Sequence, residues 1–409
     1  MKSFFFFLII GGIIILYSGC TSAKMTLAQN VAKFQTGRYE EAHNGMGDLL
    51  KKVKSETFPL YQLTDASILY TLGDLYNGCD LMGRAANNLE VDLGAGTVVM
   101  DLIGSEENVH YRGYVHERVL ARYYHGLGYF MRGYYDSAKI AFIQATQKDI
   151  NKEKGKEDTF ASVHFMLGET FLRLKEYDNA RVAFQNAARL QSGNAYAWYK
   201  LATVCFKQGN KEEADKAYQT YRDSLGTEPY LPIDGSGSYI FLLLDVGWGP
   251  TLSPDAFTGA FASYQQVPYP EKYVSILVDK NIIPSKRVED VYVQAEDEAN
   301  LAGDVSKKVA SAVVKKAIST FIPFGGLLTG STDADIRKWL LLPGEIHIAL
   351  IPAEPGPHDV TLKFYDAKKK ELTDYQQSWY YIPAATESDV PLIHLKSLFQ
   401  LQNQKNKDK

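Results

Sequence analysis

Apolar and polar residues recur along this chain with two different periods, and the change of period divides it. The helical period is clearest between Ala161 and Gly226. One copy of the pattern reads Leu167-Gly168, Phe171, Tyr177, Ala180, Phe184, Ala187, and the next reads Trp198, Leu201-Ala202, Cys205, Ala214, Tyr218, Tyr221. Leu167 and Leu201, Ala180 and Ala214, and Phe184 and Tyr218 each lie 34 residues apart. Each copy predicts two antiparallel helices. Gly168, Ala180, Ala202 and Ala214 let the backbones approach, and the large residues fill the gaps between neighbouring pairs. Such a pair cannot bury its apolar face alone, so further copies are expected. Gly37-x-Tyr39-x-x-Ala42 marks one over about 23–56, closed by a helix end at Pro59. Leu69-Tyr70, Leu72-Gly73, Tyr76, Ala85 and Leu89 mark a second from near Ala66, and Gly126, Tyr129, Tyr135, Ala138, Phe142 and Ala145 a third from near Val119. Leu93 to Gly113 interrupts the period as a loop, and Asn151 to Asp158 as a charged linker.

This period and these offsets resemble the tetratricopeptide repeat, which implies an α-solenoid of about five repeats over 20–228. After Glu228-Pro229, prolines and glycines punctuate the chain and the period shortens. Tyr239–Val246 is a continuous apolar run bounded by turns, as a buried strand would be. Further strands are expected at Tyr273–Val278, Val288–Gln294, Glu345–Ile351, His358–Asp366, Asp374–Ile382 and Val390–Leu395. In His358–Asp366, Val360, Leu362 and Phe364 share one face while Asp359, Thr361 and Lys363 share the other, and Lys368-Lys369-Lys370 reads as a solvated hairpin tip. One helix, Glu296–Phe321, carries Lys307, Lys308, Lys315 and Lys316 on its polar side. Acidic residues at its start favour burial against the strands over contact with anionic lipid. The expectation is a multidomain α and β protein: an N-terminal solenoid, then a small α+β, β-rich module over 238–396 and a polar tail over 397–409.

Charge and composition narrow the function. The 409 residues carry 44 Lys and Arg against 48 Asp and Glu, a formal charge of −4, which gives no support to nucleic-acid binding. Residues 1–19 have a basic start, an apolar run from Phe4 to Leu16 and a small-residue end, the pattern of a signal peptide. Ser18-Gly19-Cys20 resembles the lipobox of bacterial lipoproteins, which implies a lipidated Cys20 and anchoring by acyl chains such as palmitate. Thr21 and Ser22, where the enteric sorting rule places an Asp for inner-membrane retention, imply the outer membrane. Cys205 holds a core position of its repeat, and with Cys79 makes neither a CxxC nor a metal spacing.

Several segments together resemble a family of uncharacterised outer-membrane lipoproteins, often encoded near activators of penicillin-binding proteins. They are Tyr111-Arg112-Gly113, Glu117, Tyr123-Tyr124 and Tyr129; Gly247-Trp248-Gly249-Pro250; Ala334-Asp335-x-Arg337-x-Trp339-x-x-Leu342-Pro343; Ile351-Pro352; and Pro355-Gly356-x-His358. The resemblance implies a periplasm-facing lipoprotein with no established activity or catalytic residue.

No enzyme constellation stands out, and no cofactor or metal is expected. There is no HExxH, phosphate loop or dinucleotide fingerprint, His110, His116, His125 and His164 are scattered over different helices, and Gly235-Ser236-Gly237 reads as a turn. The distinctive feature is aromatic. Tyr70, Tyr123, Phe165 and Tyr199 hold one repeat position on the face that lines the concave side of such arrays, with Glu169, Arg173, Thr203 and Lys207 beside them. Two readings stand for these residues. They form a groove for an extended peptide or partner helix, or the rings pack as core between repeats. Asp335, Arg337 and Trp339 are a second candidate patch, with a structural ion pair beside a stacked ring as the alternative. The expected function is a non-enzymatic, lipid-anchored scaffold at the outer membrane for an envelope or periplasmic protein, with cell-wall or envelope assembly as its setting. Capture of a glycan or small ligand is the alternative, and a hydrolase, which would need a cluster of carboxylates or histidines in a cleft, is the third.

Overall fold

A computed structural model describes residues 23–53, 58–90, 110–148, 159–254, 262–279, 281–296, 337–373 and 376–397. Cys20, Asp335, nearly all of the expected helix Glu296–Phe321, the linker Asn151–Asp158 and the tail beyond Ser397 lie outside these residues.

Among the described residues ten helices pair into five hairpins: α1 (Ala23–Gln35) with α2 (Tyr39–Leu50), α3 (Phe58–Thr71) with α4 (Leu75–Asn88), α5 (Val115–Met131) with α6 (Tyr135–Gln147), α7 (Ala161–Arg173) with α8 (Tyr177–Leu190), and α9 (Ala195–Lys207) with α10 (Lys211–Leu225). The outer helices bury one stripe. In α8 it is Ala180, Ala183, Phe184, Ala187 and Ala188, the spacing of an amphipathic helix. Close approach inside a hairpin requires glycine at Gly168, where an added Cβ would stand 2.7 Å from a Phe184 ring carbon; Gly126 meets Phe142 at the same distance. Each hairpin turn passes through one left-handed residue: Gly37, Gly73, Gly133, Lys175 and Gly209.

The second repeat starts earlier than its sequence pattern suggests. Pro59 does not end a helix but sits in the first turn of α3, where its missing N–H leaves no intrahelical bond unmade.

The β-rich module holds two four-stranded sheets. One has the order β10-β1-β7-β6, formed by β1 (Tyr239–Val246), β6 (Lys286–Asp290), β7 (Glu345–Pro352) and β10 (Leu392–Lys396). The other has the order β5-β4-β8-β9, formed by β4 (Tyr273–Val278), β5 (Asn281–Pro284), β8 (Gly356–Tyr365) and β9 (Gln377–Ala384). A two-stranded ribbon pairs β2 (Thr251–Pro254) with β3 (Ala262–Gln265). The expected strand Val288–Gln294 divides: β6 ends at Asp290, and 291–296 turns helical. Val360, Leu362 and Phe364 are buried as their alternation requires, and Asp366 accepts the backbone N–H groups of Lys368 and Lys370 in the exposed hairpin tip.

Every residue of β1 is buried, and its two faces are covered by different layers. Tyr239, Phe241 and Asp245 touch the helices: Tyr239 takes a hydrogen bond from Lys200, the Phe241 ring lies 6.3 Å from that of Phe165, and Asp245 accepts from Tyr124. Alternation turns Ile240, Leu242 and Leu244 the other way, into a core continuous with Ile276, Leu362 and Phe364 of the second sheet. The first sheet is thus the middle of three layers, between the helical array and the second sheet.

Candidate functional site

The concave face of the array does not present an open groove. The chain's own β-rich module fills it. Tyr123, Phe165 and Tyr199 are fully buried, and Tyr70 is 8% exposed. Two of these rings serve the array itself: the Tyr70 hydroxyl donates to the Tyr124 carbonyl at 2.9 Å, and Tyr123 packs on Phe142. Phe165 bridges Phe184 and Phe241, and Tyr199 donates to the Pro232 carbonyl. The polar residues expected to anchor a peptide are occupied in the same way. Arg173 donates to the carbonyls of Ser388 (2.7 Å) and Val390 (2.6 Å), Lys207 pairs with Glu387, Glu169 with Lys200, and Thr203 turns its hydroxyl back to the Tyr199 carbonyl. The groove reading of these eight side chains is therefore corrected. They act as core and as the joint between array and module.

At the centre of that joint lies a buried charge cluster. Lys200 and Glu169 are both completely enclosed; Lys200 Nζ stands 2.8 Å from Glu169 Oε1, 2.8 Å from the Tyr239 hydroxyl and 3.4 Å from Glu387 Oε1. The approach to Glu169 lies off the hydrogen-bonding direction, so the contact is ionic. Burial opposes the lysine's charge, but Glu169, Tyr239 and Glu387 outweigh it and hold its pKa well above the ordinary lysine value. Two lysines and two glutamates balance, which lets a low-dielectric contact keep ions.

Further along the array, Glu289 of β6 accepts from the backbone N–H (3.1 Å) and hydroxyl (2.9 Å) of Ser162, capping α7 from the module. Burial raises its pKa to about 7 despite these bonds. Lys286 Nζ reaches the Ser224 carbonyl at the C-terminal end of α10, where helix carbonyls lack internal partners. Asp245 accepts from Tyr124 at 2.9 Å and lies 3.1 Å from His394. Its pKa is lowered: burial acts against the charge, and His394, Lys396 and Tyr124 more than compensate.

Of the second candidate patch, Trp339 is interior and Arg337 half-buried, while Asp335 lies outside the described residues. Trp339 is 3% exposed; its backbone N–H donates to Glu117, its ring N–H donates to Ser67, and the ring meets Tyr124 edge-on at 5.8 Å. Arg337 stacks over Tyr111, whose hydroxyl donates to the same Glu117. Full burial of Trp339 removes the recognition-patch reading. Gly249 donates to the Leu342 carbonyl, and a Cβ on Gly247 would stand 2.7 Å from the Tyr269 ring. Segments far apart in sequence that carry the lipoprotein resemblance thus meet in one joint.

Sequence reasoning missed Lys200, Glu387, Glu289 and Asp245. A signal was available: α9 buries ten of its thirteen residues, and only Lys200 and Lys207 in it are charged. A helix apolar all round is covered all round. Among the described residues no cluster of His, Cys, Asp and Glu could hold a metal, and no helix is long and apolar enough to cross a membrane.

The array is built of tetratricopeptide-like helical repeats, and comparison with known proteins agrees: residues 165–229 match the tetratricopeptide repeat family model. Similar solved structures include MamA (15% identity, 51% of this chain and 98% of that chain, TM-score 0.38) and MamA 41-end from Desulfovibrio magneticus RS-1 (13% identity, 51% and 97%, TM-score 0.38). No curated protein sequence matches the chain.

Proposed function

We propose that the protein is a lipid-anchored scaffold of the bacterial outer membrane, held by Cys20 and facing the periplasm, whose helical array recruits an envelope protein through its outer surface. The supporting observation is the contrast between a filled groove and apolar residues left exposed outside it. Tyr76 at the start of α4 and Tyr134 before α6 are 67% and 54% exposed, and the Arg132 guanidinium lies between them at 4.7 and 4.8 Å from the ring centroids. On the neighbouring outer helices Ile140 and Val182 hold equivalent repeat positions and are 57% and 50% exposed. Tyrosine and arginine are the residues that carry binding energy at protein interfaces. The module, in this reading, is a fixed occupant that stiffens the array. Cell-wall assembly is the setting that the lipoprotein resemblance suggests.

The test is photo-crosslinking in the native cell from Tyr134 and, separately, from Tyr199. A discrete partner band from Tyr134, with only internal linkage from Tyr199, is expected. A partner band from Tyr199 and none from Tyr134 would contradict the proposal. Replacing Cys20 by Ser tests the anchor, which predicts loss of lipid label and of membrane fractionation.

A further inference from the structure

The module contains a cleft of about 600 Å³ where the chain crosses from the second sheet to the first, between β5 and β6. Ser285, His347 and Glu345 all line it. Ser285 follows Pro284 at the crossing, and His347 and Glu345 lie two apart on β7, so both point to the same face of the strand. Ser285 Oγ is 2.9 Å from His347 Nδ1, and His347 Nε2 is 2.8 Å from Glu345 Oε2. Arg287 holds Glu345 from the other side at 3.1 Å.

Donor and acceptor chemistry fixes the direction of this chain. Glu345 is an acceptor only, its pKa brought down to about 2 against the effect of burial by His347 and Arg287. In the neutral imidazole, therefore, Nε2 carries the proton and Nδ1 is bare. Ser285 is then the donor to Nδ1. Its hydroxyl has one alternative acceptor, the Val274 carbonyl at 3.0 Å. A serine donating to a histidine that a carboxylate orients is the arrangement that generates an oxygen nucleophile. Ser285 is half-buried at the cleft wall with His347 buried behind it, 5% exposed, and Lys272 and Lys369 line the same space.

We propose that this cleft is a serine-hydrolase site for esters that carry a negative charge. Ser285 Oγ bonds to the ester carbonyl carbon as its proton passes to His347 Nδ1. The imidazolium, held at Nε2 by Glu345, gives that proton to the alcohol oxygen as the acyl C–O bond breaks. A water molecule then attacks the acyl-serine with the same proton transfers, which frees the acid and restores the Ser285 hydroxyl. Lys272 and Lys369 supply the positive charge that draws an anionic ester. No serine elbow motif precedes Ser285, so only the fold discloses the site.

The experiment treats the full chain, purified in detergent, with a fluorophosphonate and maps adducts by mass spectrometry; turnover of a p-nitrophenyl ester is followed in parallel. The expected result is a single phosphonyl group on Ser285, at least tenfold slower labelling in Glu345→Gln and His347→Gln at unchanged melting temperature, and no ester turnover in Ser285→Ala. Absence of an adduct on Ser285 in the unaltered protein overturns the proposal. Equal labelling rates in the His347 and Glu345 variants would overturn it too. Mapping on the unaltered chain needs no variant, so a misfolded Ser285→Ala leaves the test intact.

Discussion

Replacing Lys200 by methionine removes the cation from the joint while keeping nearly the same volume. Glu169, completely buried, then faces no cation among the described residues, where Lys200 at 2.8 Å is its ion-pair partner. Glu387 keeps Lys207. Stranding one member of a buried ion pair costs about 3–5 kcal/mol. That is a large part of the roughly 5–15 kcal/mol by which proteins are usually stable. Replacing both Lys200 and Glu169 by methionine removes the stranded charge with its partner and should return stability to within about 1 kcal/mol of the unaltered protein. Urea denaturation followed by tryptophan fluorescence and circular dichroism measures all three. Trp339 and Trp248 report the module side and Trp198 the array. Because both parts share one apolar core, the two probes should shift together. A loss below about 1 kcal/mol for Lys200→Met, or a double variant no better than the single, would refute the enclosed, balanced cluster.

Three further outcomes follow from the same structure. Glu289 has a folded pKa of about 7, above the ordinary glutamate value, so the folded state binds more protons than the unfolded state between about pH 4.5 and 7; stability contributed by its protonated form is present below that window and lost as pH rises through it. Relative to Glu289→Gln, the unaltered protein should therefore lose roughly 3 kcal/mol across the window, at about 1.4 kcal/mol per pH unit, and a flat difference between the two would count against a buried acid at the start of α7. Gly168→Ala should destabilise by about 1–3 kcal/mol, since its Cβ would stand 2.7 Å from Phe184, whereas Gly47→Ala, with nothing within 4 Å, should stabilise α2 by about 0.5–1 kcal/mol; thermal melts of equal midpoint would contradict the packing. Lys175 has φ 60° where the other four hairpin turns use glycine, so Lys175→Gly should stabilise by about 1 kcal/mol, and a destabilised variant would argue against the left-handed turn.

The helical half of the fold was legible because its signal is local. Gly126 meets Phe142, and Gly168 meets Phe184, each pair within its own hairpin. Strands β1, β4, β7 and β8 were legible from apolar runs and alternation; β2, β3 and β5, four residues each, are too short to show a period. Pro59 was misread because proline stops a helix in its interior and is tolerated in its first turn. The candidate site was the least legible part. Sequence marked the concave face through Tyr70, Tyr123, Phe165 and Tyr199, but the residues that cover it, Phe241, Glu387 and Trp339, lie far along the chain and follow no repeat. The triad-like cleft was hidden for the same reason: Ser285 and His347 are 62 residues apart.

The central claim is that the module occupies the concave face of the array, and zero-length carbodiimide coupling tests it most directly. Lys207 and Glu387 form an ion pair across that joint; the carbodiimide activates the Glu387 carboxylate, whose side chain is 7% exposed, and the Lys207 amine, 29% exposed, then couples to it. An amide joining the Lys207 and Glu387 peptides, found within one chain and lost in Glu387→Gln, is the predicted result. Absence of that link, together with coupling of Lys207 to a different protein, would show that the groove is open and would contradict the account.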